Sequence, residues 1–180
     1  KKALTFLDKR PEDKPFLLSI NFNLPHGAST STMEQRETDD ALYRTKYRDI
    51  DIPLPEHYIA KQNITSPKLP VDLLRVEDRQ AGYDWVDTPE SYKERYIRQL
   101  QAMTGIDRLV GNLNKRLKDL NVDDNTVIIF TSDHGLFAGE FGLGGKSLCY
   151  EKTTHVPFIV YDPRTNKNKG MTSSALVQSI

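Results

Sequence analysis

The sequence has 180 residues, 37% hydrophobic and 28% charged, a balance that excludes both a disordered tail and a membrane protein. Lys plus Arg equals Asp plus Glu, 25 each, so nothing suggests the clustered positive charge that a nucleic-acid partner requires. The apolar runs are only a few residues long, against the roughly 20 that a bilayer-spanning helix needs. Cys149 stands alone, so no internal disulfide and no cysteine-rich zinc site can form.

In chain order, Lys1 to Leu7 is basic and then apolar, but Asp8-Lys9-Arg10 follows too soon for a signal peptide. The expectation is the tail of an amphipathic helix begun before residue 1. Pro15 to Phe22 is a nearly continuous apolar run, which predicts a strand buried on both faces of a parallel sheet. From Asn23 to about Pro89 prolines and charges are scattered without period, predicting a long irregular excursion with a short helix or two. Asn63-Ile64-Thr65 matches a glycosylation acceptor.

Thr88-Pro89-Glu90 then opens a helix with a cap, a proline at the first position and an acid in the first turn. Tyr92, Tyr96, Leu100, Met103, Ile106, Val110, Leu113, Leu117 and Leu120 recur at three- and four-residue spacing, and the helix should end near Asn121. Asp123-Asp124-Asn125 makes the turn into a strand at Thr126–Thr131, and a second strand is expected at Val156–Tyr161. Strand, helix, strand, loop, strand predicts an α/β sandwich with a mainly parallel sheet and flanking helices. Residues 174–180 end within an apolar-patterned element.

Ligands of parallel sheets gather at the carboxyl ends of the strands, where three polar clusters fall. Asn23 to His26 follows the first strand, Ser132-Asp133-His134-Gly135 the second, and Gly139 to Lys146 links the second to the third. Asp133 and His134 offer an oxygen and a nitrogen to one cation, or else form a helix N-cap. His26 is either a site residue or an ordinary polar loop residue. Lys146 after glycines is an anion cradle or an exposed turn lysine; Glu140 stands where a P-loop needs its first glycine. No Gly-x-Ser-x-Gly elbow and no His-x3-His pair occurs. Cys149 is expected at the start of a helix or in the core, and His155 at the start of the last strand.

These clusters resemble a known family. Asp124 to Gly135 (Asp-Asn-Thr-Val-Ile-Ile-Phe-Thr-Ser-Asp-His-Gly) is similar to the central motif of the formylglycine-dependent sulfatases. Gly142 to Glu151, His155 to Val160 and Lys14 to His26 continue the match in the same order. The resemblance implies an alkaline-phosphatase-like α/β fold and hydrolysis of a sulfate ester. It implies a metal, usually calcium with magnesium as the alternative, for which Asp133 and His134 match two of four ligands. His26 matches the histidine that contacts sulfate or protonates the leaving alcohol, and Lys146 the lysine that binds a sulfate oxygen. The expected substrate is a sulfated small molecule or a sulfated polysaccharide, and the expected location the periplasm, exterior or lysosome.

The family's nucleophile is a formylglycine made in a Cys/Ser-x-Pro-x-Arg motif, and none occurs here; Cys149 is followed by Tyr150-Glu151-Lys152. The expectation is therefore an internal part of one catalytic domain, variable over 30–88 and inactive alone. A phosphatase or phosphodiesterase of the same superfamily, or a non-catalytic binding module, is the competing reading.

Overall fold

The computed structural model describes residues 1–22, 37–64, 85–146, 148–165, 170–175 and 177. Its helices are α1 (Lys2–Lys9), α2 (Leu42–Thr45), α3 (Pro89–Asp119) and α4 (Glu151–Thr154). Its strands are β1 (Ile128–Thr131), β2 (Phe137–Ala138), β3 (Gly144–Gly145) and β4 (Phe158–Tyr161). No helix among the described residues is long and apolar enough to cross a membrane.

α3 organises the rest. Thr88 Oγ1 accepts from the Ser91 amide at 3.2 Å and Ser91 Oγ accepts from the Thr88 amide at 3.1 Å, so the cap amide and one amide of the first turn are satisfied reciprocally. Glu90 in the first turn and Arg116 and Lys118 in the last complement the helix dipole. The helix stops where Asn121 takes a left-handed backbone (φ 54°), a conformation asparagine tolerates better than most residues.

The apolar stripe expected along α3 is partly redistributed. Tyr92 and Leu117 are buried as expected, whereas Tyr96 and Met103 face solvent, and Arg95, Ile97, Gln101 and Ala102 complete the buried face. Gln101 can lie inside because its amide donates to the Lys46 carbonyl at 2.8 Å. The core joins Tyr92 and Ile97 to Ile52, Trp85 and Val86, with Tyr47, Tyr58 and Leu136 packed against it. The stretch read as variable loop thus supplies half of the core in its described part. α1 docks on the far half of α3, burying Leu7 and pairing Asp8 with Arg116 at 2.6 Å.

Burial pushes the Tyr92 phenol up to about 12, helped by the negative charge that Tyr96 and Glu140 would present to a phenolate. An unfolded chain releases this proton near pH 10, so between about pH 10 and 12 the unfolded state holds fewer protons. Folding stability should therefore fall with rising pH across that window and be untouched below it. Urea melts at a series of alkaline pH values, with Tyr92→Phe for comparison, check this; an identical decline in the variant would refute it.

Two expectations about the sheet are corrected. Both ladders among the described residues are antiparallel: Ile128 pairs with Tyr161 and Thr131 with Phe158, and β2 pairs with β3. Between β1 and β4 lie the β2–β3 hairpin and the four-residue α4 rather than the long crossover helix that commonly joins parallel neighbours. Pro15–Phe22 forms no strand, since a ladder needs a neighbour and no described strand runs beside it. Its Leu17 is 92% exposed, and the run is fastened mainly through Phe16, which meets Phe6 edge-on at 6.2 Å. The β1–β4 ribbon itself keeps Ile129, Phe158, Ile159, Val160 and Tyr161 in solvent.

Candidate active site

The polar segment Ser132-Asp133-His134 leaves the end of β1, and no helix follows it, so Asp133 is not an N-cap. Its Oδ1 instead accepts from the His134 amide at 3.0 Å in a local turn. His134 Nδ1 lies 2.8 Å from the Gly135 carbonyl oxygen, which can only accept, so in the neutral ring Nδ1 carries the proton and Nε2 presents the lone pair. Asp133 Oδ2 stands 3.4 Å from Nε2, so one oxygen and one nitrogen donor converge.

Lys146 reaches the same point from the other side. β2 and β3 form a hairpin in register Phe137 with Gly145 and Ala138 with Gly144, closed by residues 139–143. Gly139 (φ 103°) is obligatory here: a side chain would run into the ring of Tyr58. The hairpin sets Lys146 just beyond β3, with Nζ 2.6 Å from His134 Nε2. The glycines thus shape a hairpin base rather than a phosphate loop. Desolvation works to raise the Asp133 carboxyl, but His134, two backbone amides and Lys146 outweigh it and hold the group below the ordinary carboxylate range.

Behind these three residues lies a brace that sequence reasoning missed. Glu140, buried in the hairpin turn, accepts from the Ala138 amide at 2.6 Å and faces Lys152 Nζ of α4 at 3.5 Å. Gly135 donates to the Thr153 carbonyl at 2.8 Å and abuts the Lys152 carbonyl. Hairpin, polar loop and α4 are therefore one unit. The signal was present in Gly139-Glu140-Phe141-Gly142, where two glycines flank a turn, but an acid's burial there cannot be read from spacing.

Of the predicted site residues, the structure brings Asp133, His134 and Lys146 together, while His26 lies outside the described residues. Among the described residues no three His, Cys, Asp or Glu side chains converge, so Asp133 and His134 stand as a two-donor pair. Cys149 is exposed rather than in the core, two residues before α4 begins. His155 caps the end of α4 instead of opening β4, because α4 extends through Thr154 and pairing begins only at Phe158.

This architecture is shared with a solved structure, that of a protein in complex with its substrate D-glucosamine-2-N,6-O-disulfate. The likeness has a TM-score of 0.52 at 22% identity and covers 90% of this chain and 42% of that one. The family model described as Sulfatase matches residues 1–180, and the chain belongs to that family. Among curated relatives, an arylsulfatase of Clostridium perfringens is 27% identical over 168 residues, 90% of this chain and 31% of that protein. An N-acetylglucosamine-6-O-sulfatase of Bacteroides thetaiotaomicron is 27% identical over 222 residues, 99% of this chain and 40% of that protein. The chain spans well under half the length of these relatives.

Proposed function

We propose that the protein containing this chain cleaves the S–O bond of a sulfate ester, and that Asp133, His134 and Lys146 form part of its site. The observation that carries this is the meeting of those three side chains, from two separate loops, in a chain that the sulfatase family covers end to end. The nucleophile, a formylglycine in this reading, is not supplied by these 180 residues, which lack its motif.

A sulfate monoester carries one negative charge, and breaking the S–O bond moves more charge onto the leaving oxygen. Lys146 would place its ammonium at a non-bridging sulfate oxygen, where an ion pair at about 4 Å is worth roughly 4 kcal/mol at a typical surface dielectric. Its advantage is catalytic only to the extent that the transition state is more negative than the ester. Asp133 Oδ2 and His134 Nε2 suit a hard or borderline divalent cation, calcium or magnesium, as two of its ligands. Such an ion, when bound, supplies Lewis-acid stabilisation of a sulfate oxygen. Turning Lys146 from His134 to the substrate frees the Nε2 lone pair for that role. His26 would hold the proton that the leaving alcohol takes up.

The substrate class that fits is a sulfated sugar, since the named relatives include an enzyme of N-acetylglucosamine 6-sulfate. Such a substrate would place the protein in the periplasm, outside the cell or in the lysosome. The test is product release by the full-length protein from 4-nitrophenyl sulfate and, in parallel, 4-nitrophenyl phosphate. Preferential sulfate release is expected. Preferential phosphate release would transfer the site to a phosphatase, and a folded protein that releases neither would leave a binding module.

A further inference from the structure

Two non-glycine residues with left-handed backbones face each other at the turn of the β2–β3 hairpin. His57 (φ 62°) and Phe141 (φ 57°) stack with ring centroids 5.2 Å apart and planes 19° apart. Histidine tolerates such a backbone, but for phenylalanine it is an outlier that the surroundings must enforce. Here they do: the Phe141 amide donates to the His57 carbonyl at 2.8 Å, the Ile59 amide to the Gly139 carbonyl at 3.1 Å, and Tyr58 bridges Glu140. Yet the rings so positioned remain more than half in solvent. Phe141 is 52% exposed and the His57 side chain 60% exposed.

We propose that His57 and Phe141 form a binding platform for a sugar ring of the substrate other than the ring that bears the sulfate. A flat apolar face with a polar edge suits a pyranose, whose C–H face packs on an aromatic while its hydroxyls stay wet. Four residues separate Phe141 from Lys146, so their Cα atoms lie within about 18 Å of each other, a span of the order of an oligosaccharide. The ladder to Tyr58 and the buried Glu140 keep it in register with Lys146. The assignment rests on the sulfated-glycan reading above and names the residues that would select chain length.

The experiment uses the full-length protein with 4-nitrophenyl sulfate and with sulfated tetrasaccharides from heparin, chondroitin sulfate and ulvan. Direct binding of the same tetrasaccharides is measured by calorimetry. Phe141→Ala should weaken tetrasaccharide binding and raise its KM by about tenfold, with turnover of 4-nitrophenyl sulfate changed by less than about twofold. Phe141→Gly removes the ring while suiting the backbone, so it should keep or raise the melting temperature and still lose the tetrasaccharide. Equal losses on both substrates, or a lowered melting temperature for the glycine variant, would mean a structural role and overturn the platform. Cleavage of the aryl sulfate with no tetrasaccharide bound would overturn it too, leaving the sulfatase reading intact. Phe141-dependent binding without sulfate release would sustain it and sink the sulfatase reading.

Discussion

Lys146→Ala in the full-length protein is expected to lower kcat on a sulfate ester by about 10²–10³, the usual effect of deleting one charge-stabilising donor. The same change should tighten calcium binding, because it removes the ammonium that sits 2.6 Å from the His134 lone pair. The two effects in opposite directions are diagnostic. A general loss of structure would weaken both, and a surface lysine would alter neither. Steady-state kinetics with calorimetric calcium titration decide the matter, and unchanged kcat in a well-folded variant would remove Lys146 from the site. Lys146→Arg should rescue only partly, since a planar guanidinium cannot reproduce a point charge on a flexible stem.

Gly135→Ala should be the most destabilising alanine at any glycine of this region. The added methyl would overlap the carbonyl oxygen of Lys152, and both atoms belong to backbone that cannot swing aside. Relief would require breaking the Gly135–Thr153 hydrogen bond that docks the polar loop on α4. Overpacking together with a lost buried hydrogen bond is worth about 3–4 kcal/mol. Gly111→Ala is the matched control: it lies within α3, its methyl meets no atom, and it should gain about 0.5–1 kcal/mol. Urea melts of the two variants measure the contrast. Comparable stability for both would mean that α4 and the polar loop are not joined as described.

How far the sequence was legible depended on the range over which each signal acts. Thr88-Pro89-Glu90 and the turn at Asn121 are local signals, and α3 begins and ends where they say. Strand positions at Ile128–Thr131 and Phe158–Tyr161 were equally legible, because short apolar β-branched runs have few other uses. Their antiparallel pairing was not, since partner and direction depend on contacts many residues apart. The reading of Pro15–Phe22 as a strand failed for the same reason: propensity makes a segment suitable for a sheet, and only a neighbour makes it one. In the site, adjacent Asp133 and His134 were visible as a pair, and Lys146 came from the glycines around it. Their meeting depends on a hairpin turn with Glu140 inside and on Tyr58, a residue of the stretch that showed no pattern. The residues that this stretch buries in the core cluster (Ile52, Trp85 and Val86) are too unevenly spaced to register as a period.

The β1–β4 ribbon has a practical consequence. Two strands with apolar side chains on both faces, and with no further strand on either edge among the described residues, are a template onto which other strands can add. Residues 1–180 produced alone would stick to one another through this ribbon at ordinary working concentrations. Ribbon edges would grow into mixed oligomers rather than closed dimers, because nothing in a two-stranded ladder limits the number of chains it recruits.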